Sequence, residues 1–144
     1  MDIIPMTTAH IPALAAIEEA CFVAPWSAAA LAEELDNPHA AFHVAVEGER
    51  VLGYVGMHHL LDEGFIANVA VAPDARRQGV ARRLLAALDE YGRVNSLYRL
   101  TLEVRVSNAA AIALYEGAGY VKDGVRPGFY THPTEGAVIY SKYF

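Results

Sequence analysis

The sequence predicts an α/β chain of the mixed α+β kind, a mostly antiparallel sheet with a central parallel strand pair and helices on its flanks. Three observations carry this. Alternating apolar runs recur at residues 41–46, 51–61 and 64–71 with only short turns between them, the pattern of consecutive antiparallel strands. Beyond residue 72 the pattern becomes strand, helix, strand, helix, strand. The strand before Arg76 and the strand at 98–106 are joined by a helical stretch, so those two are expected to be parallel neighbours.

Taken in order, residues 2–5 suit a short first strand. Thr7 or Thr8 can cap a helix whose inward stripe is Ile11, Leu14, Ile17 and Cys21. Ser27 caps a second helix over 28–37 that Pro38 ends. The three strands follow, with EGER at 47–50 as a turn. A helix to about Gly92 turns Val80, Leu84, Leu85 and Leu88 inward. After the strand at 98–106, residues 107–119 form a helix ended by Gly119, 120–125 a strand and 135–144 a last strand. No repeat or linker interrupts the 144 residues, so a single domain spanning 1–144 is expected.

Composition narrows the function classes. A net charge of -6 argues against a nucleic-acid partner, for which a basic domain is expected. The single cysteine, Cys21, cannot form an internal disulfide, which suits a reducing compartment. No secretory signal or membrane-spanning apolar run is visible, so a cytoplasmic protein without a membrane partner is expected, with a monomer favoured.

The stretch NVAVAPDARRQGVARRLL, residues 68–85, stands out in this acidic chain. Gln78, Gly79, Val80 and Ala81 would carry unpaired N–H groups of a first helical turn, which with the helix dipole make an anion site. Gly79 lets the chain approach a phosphate, and Arg76, Arg77, Arg82 and Arg83 would add positive charge. The stretch lacks the Lys-Ser/Thr ending of a Walker loop and is not a GxGxxG dinucleotide fingerprint. Two readings stay open: a phosphate-bearing ligand, or an ordinary solvated basic helix start.

Set beside LEVRVSNAAAIALYEGAGY at 102–120, PWS at 25–27 and Phe129-Tyr130, this stretch resembles the acetyl-CoA-dependent N-acetyltransferases of the GNAT superfamily. The closest likeness is to the bacterial branch that acetylates the N-terminal alanine of a ribosomal protein. The motifs run in the right order over nearly the whole chain. The resemblance implies acetyl-CoA as co-substrate, with the backbone of Val69, Ala70 and Val71 paired to the pantetheine arm. The loop from Arg77 to Arg82 would hold the pyrophosphate, and Asn108 would reach the cofactor near its cysteamine end. One departure is Ala81, where a glycine is frequent.

On the strand at 98–106, Leu100, Leu102, Val104 and Val106 share one face and Thr101, Glu103 and Arg105 the other. By itself that is either a half-exposed strand with a Glu–Arg pair on its wet side or a carboxylate at a cleft. Tyr115, seven residues after Asn108, is by itself either a packing tyrosine or a reacting one. The resemblance implies Glu103 as general base and Tyr115 as general acid. A free N-terminal amine is roughly one-tenth neutral at pH 7 and a lysine amine well under ~0.1%, so either acceptor calls for a base. Direct attack on the thioester is expected. Cys21, on a helix stripe read as far from these motifs, is a poor nucleophile.

The acceptor segment GFYTHPTEGA, 128–137, departs from the family's Glu-Asp-Ala ending, with Gly136 in the aspartate position and a shorter loop. Tyr130 and Glu135 are either acceptor contacts or a packing tyrosine and a solvated glutamate. Trp26 is a packing anchor or a wall of the peptide groove. His58 and His59 point to opposite strand faces, so no metal is expected there. The expected acceptor is a protein N-terminus, that of a ribosomal protein; a lysine side chain or a small amine is the alternative, and a non-catalytic acyl-CoA-binding module is the third reading.

Overall fold

The alternating runs become three consecutive antiparallel strands, β2 (Ala40–Glu47), β3 (Arg50–Leu60) and β4 (Glu63–Val71). A short β1 (Asp2–Pro5) pairs with the outer edge of β2. Helix α3 (Val80–Val94) carries the chain from β4 to β5 (Arg99–Arg105), which lies parallel to β4 as the crossover requires. β7 (Glu135–Tyr143) then inserts between β5 and β6 (Val121–Tyr130), giving the order β1-β2-β3-β4-β5-β7-β6. The computed structural model describes residues 1–131 and 133–144; His132, within the acceptor segment, lies outside the described residues.

Helices cover both faces of the N-terminal half. Phe42 of β2 packs beside Trp26 and Tyr54, with ring centroids 6.0 and 6.2 Å away, on the face covered by α1 (Ile11–Cys21) and α2 (Ala28–Glu33). The next residue, His43, turns to Tyr91 of α3 on the other face, at 6.1 Å. Gly56 is small because the Phe42 ring crosses it: a Cβ there would sit 2.4 Å from the ring. The predicted stripe of α3 is buried in full, and Val80, Leu84, Leu85 and Leu88 each stabilise the helix by about 1.5–3 kcal/mol of apolar burial.

Several boundaries differ from expectation for local reasons. Thr7 caps a 3₁₀ turn (Thr8–His10), its N–H donating to His10 Nδ1 at 2.9 Å, and this turn feeds α1. The second helix stops as an α-helix at Glu33; residues 34–36 tighten into a 3₁₀ turn before the extended Asn37 that Pro38 demands. Ser27 Oγ accepts from Ala30 N–H at 3.1 Å, as a cap should. The strand expected at 120–125 runs on to Tyr130, paired along β7. Val106 does not join the buried face; β5 ends at Arg105 and Val106 is exposed.

The feature that matters most was not expected. Only Glu63–Arg99, Gly64–Leu100 and Phe65–Thr101 join β4 to β5. Gly56 pairs with Asn68 and Met57 with Ile66, leaving Ala67 as an extra residue in β4. Such a bulge bends its strand and adds twist. β5, held along its whole length by β7, does not follow, and the two strands part.

Candidate functional site

The parting leaves one edge of β4 open. Ala72 N–H donates to Leu52 O at 2.8 Å, so by strand alternation Ala70 also faces β3 while Val69 and Val71 face the opening. Of the three residues expected to pair with a pantetheine arm, two therefore present backbone to the edge and Ala70 does not. Val69 N–H bonds to Asn68 Oδ1 at 3.1 Å, and Val71 O accepts from Arg76 Nε at 3.3 Å and Cys21 Sγ at 3.4 Å. This corrects the placement of Cys21. Its sulfur lies against the open edge, where Arg76 Nη2 also donates to it at 3.2 Å. Cys21 is the last residue of α1, and the packing of α1 against β4 brings it there, which the stripe alone does not reveal.

At the foot of this edge the basic loop leads into α3. Arg77 and Gly79 are left-handed, with φ of 63° and 80°, and bracket Gln78. The first turn's Arg83 N–H reaches Gly79 O at 3.1 Å, so the N–H groups of Val80, Ala81 and Arg82 precede any helical partner. Among the described residues no side chain caps them. Arg77, Arg82 and Arg83 are exposed around them, whereas Arg76 is folded back on Val71 and Cys21. Gly79 has nothing within 4 Å of where a Cβ would lie, so the approach is open.

Between the parted strands lies a cleft of about 310 Å³, lined by Phe65, Ile66 and Ala67 of β4, Thr101, Leu102 and Glu103 of β5, and Phe129 and Tyr130 of β6. Glu103 meets Arg126 Nη2 through Oε1 at 3.2 Å, while its Oε2 is buried with no hydrogen-bond partner among the described residues. The Glu–Arg pair is thus not with Arg105 on its own strand. A buried oxygen without a donor is costly and uncommon, and it marks a place where a donor is expected.

Tyr115 of α4 (Ala109–Gly117) is buried edge-on to Tyr120, 6.0 Å between centroids. Burial, and secondarily the Tyr130 phenol, pushes its hydroxyl up to about 12. Tyr130 is half-buried, with the Arg105 guanidinium 4.6 Å from its ring centre and Phe129 at 5.0 Å. Its hydroxyl is also raised, by burial first and the Glu103 charge second.

Glu135 is fully engaged. Its Oε1 accepts from Arg105 Nη1 and Ser107 Oγ, both at 3.0 Å, and its Oε2 from Ser107 N–H at 3.2 Å. Those hydrogen bonds, Arg105 first, hold the carboxyl below the ordinary range. Arg105 also donates to Thr131 O at 2.8 Å and Pro133 O at 2.9 Å, pinning the β6–β7 turn. Asn108 caps α4, its Oδ1 accepting from Ala111 N–H at 3.2 Å, which commits the oxygen to the helix. Trp26 packs its ring on Phe42.

Sequence reasoning missed Glu18. It is fully buried and accepts from Trp26 N–H at 2.8 Å, Tyr54 OH at 3.0 Å and Asn68 Nδ2 at 2.7 Å. Burial and this carboxylate raise the Tyr54 hydroxyl. The available signal was an acid four residues after Leu14 and three before Cys21, on the inward stripe. Among the described residues there is no cluster of metal-ligating side chains, and no helix is long and apolar enough to cross a membrane.

The acetyltransferase (GNAT) family model matches residues 11–120 of the chain. The [ribosomal protein bS18]-alanine N-acetyltransferase of Escherichia coli K12 is 35% identical over 136 residues, covering 93% of this chain and 91% of that protein. The N-alpha-acetyltransferase RimI of Mycobacterium tuberculosis is 34% identical over 131 residues, covering 87% and 81%. The crystal structure of the Escherichia coli ribosomal-protein-S18-alanine N-acetyltransferase superposes with a TM-score of 0.90 at 33% identity, covering 99% of this chain and 92% of that one.

Proposed function

The chain belongs to the acetyltransferase (GNAT) family, and on that footing we propose that it transfers the acetyl group of acetyl-CoA to the N-terminal α-amine of a protein, an alanine of a small-subunit ribosomal protein. The observation that carries the reading is Glu103, which lines a cleft opened between two strands and whose Oε2 is buried without a hydrogen-bond partner among the described residues. A cationic amine supplies the missing donor.

In this reading the open edge pairs with the pantetheine arm through Val71 and the Val69 carbonyl, the Val69 N–H staying with Asn68 Oδ1, and the N–H groups of residues 78–82 receive the pyrophosphate beside Arg77 and Arg82. Arg76 would first leave Val71 O and Cys21. Glu103 takes the proton from the acceptor amine, directly or through water, and the freed lone pair forms the new C–N bond. An N–H of the β4 edge stabilises the oxyanion. As the C–S bond breaks, Tyr115 gives its proton to the departing thiolate. Burial keeps that phenol protonated until the pH nears about 12, so turnover should hold no alkaline loss from this group between pH 7 and 10. Tyr130 and Trp26 would border the acceptor; a ribosomal acceptor implies work in the cytoplasm, by a single domain acting as a monomer, with no metal, nucleic acid or membrane in the reaction.

One observation favours a second acceptor class. Glu135, a carboxylate that could have met a peptide, is consumed by Arg105 and Ser107, and Gly136 offers no side chain in its place. The same donor chemistry on a lysine or a small amine fits that arrangement. Incubation with acetyl-CoA and peptides beginning Ala, Ser, Met or acetyl-Ala, each with one internal lysine, separates the two. Mass gain at unblocked N-termini supports the proposal; mass gain on acetyl-Ala peptides overturns it in favour of lysine.

A further inference from the structure

We propose that Glu18 is a positioning residue, tying the donor edge of β4 to the α1–α2 loop that carries Trp26. The inference rests on the reading of β4 as the acetyl-CoA edge and of Trp26 as acceptor-side. A carboxylate with no exposure is costly unless its oxygens are satisfied, and an apolar residue would fill the inward stripe of α1 without that cost. Here the two oxygens divide their work. Oε1 accepts from Trp26 N–H at 2.8 Å and so holds the loop, while Oε2 accepts from Tyr54 OH and Asn68 Nδ2 at 3.0 and 2.7 Å.

The second half sets an orientation. Asn68 Nδ2 donates to Glu18 Oε2 and, at 3.1 Å, to Tyr54 OH, whose own proton points to Glu18. With the amide nitrogen fixed by two acceptors, Oδ1 must face the other way, where it accepts from Val69 N–H at 3.1 Å. Asn68 follows the extra residue Ala67, so the hub also anchors the strand where it leaves β5. In Glu18→Gln the new amide nitrogen meets other donors, and Asn68 is free to flip and set its NH₂ against Val69 N–H. The donor edge and the loop would then move independently.

The test is Glu18→Gln beside Asn68→Ala, with acetyl-CoA affinity by calorimetry on folded protein and steady-state constants for an Ala-initiated peptide. The expected pattern is a rise of roughly fivefold or more in acetyl-CoA Kd for both variants. Peptide KM rises only for Glu18→Gln, because Asn68 touches the donor side alone. A merely structural role would lower thermal stability and the active fraction while leaving Kd and KM at wild-type values, and that result overturns the inference. Equal rises of peptide KM in both variants overturn it too. If Glu18→Gln does not fold, Asn68→Ala decides: an unchanged Kd contradicts the inference. Failure of the wild type to bind acetyl-CoA is distinguishable from all of these and overturns the acetyltransferase reading, and this inference with it.

Discussion

On the proposed donor side of the cleft, the groups open to a ligand are backbone atoms: the edge at Val69 and Val71 and the N–H groups of Val80, Ala81 and Arg82 at the start of α3. On the proposed acceptor side they are side chains held in ion pairs between sequence-distant strands, Glu103 with Arg126 and Arg105 with Glu135. Backbone geometry depends on where strands and helices begin and tolerates many sequences. Ion-paired side chains depend on identity at each position. A site of the first kind keeps its geometry under substitutions that would dismantle one of the second kind, such as the Glu135 contacts with Arg105 and Ser107.

That contrast is open to breakage from either side. The largest effect belongs to the proposed reacting groups: Glu103→Gln should cut kcat/KM about 10²-fold or more at pH 7 with acetyl-CoA affinity kept, and Tyr115→Phe should lower kcat in the same manner. Calorimetry with acetyl-CoA would expose any loss shared with the donor side. Next comes Gly79→Ala. A φ of 80° costs a residue with a Cβ on the order of 1 kcal/mol or more, so the KM for acetyl-CoA should rise about fivefold with kcat and peptide KM unchanged. Arg105→Ala mirrors it. Freeing Glu135 and the carbonyls of Thr131 and Pro133 should raise peptide KM and lower Tm by about 3–6 °C, leaving acetyl-CoA binding alone. If either substitution moves both substrates equally, the two sides are one unit.

The smallest effect is in acid. The carboxyl of Glu135 is held below its unfolded value, so the folded protein binds fewer protons there than the unfolded chain. Its contribution to stability is present above the ordinary glutamate range and is lost as pH falls through the depressed folded value. Urea unfolding at pH 7 and pH 3 should therefore show a smaller pH difference in Glu135→Gln than in the wild type.

The same contrast explains what the sequence made legible. Alternation in 41–71 and the stripe of α3 mark the strands, the crossover and the helix start at Val80, because each depends on local period and turn chemistry. Strand alternation puts Glu103 on the face it occupies but does not reveal its partner, since Arg126 reaches it only through the β5–β7–β6 pairing. The bulge at Ala67, which opens the cleft, leaves no mark in an alternating run. Glu18 was readable as an acid on an apolar stripe, yet its three donors come from a loop and two strands that only the fold assembles. Cys21 was misplaced for the same reason, since contact with Val71 is a property of how α1 meets β4.

The most direct test of the central claim, that Glu103 deprotonates the acceptor amine, is the ratio of wild-type to Glu103→Gln kcat/KM for an Ala-initiated peptide, followed from pH 6 to pH 10. The account predicts a ratio that is largest at low pH and shrinks as the pH passes the amine's own value near ~8, where the nucleophile is already neutral. A ratio that stays constant across that range would contradict it.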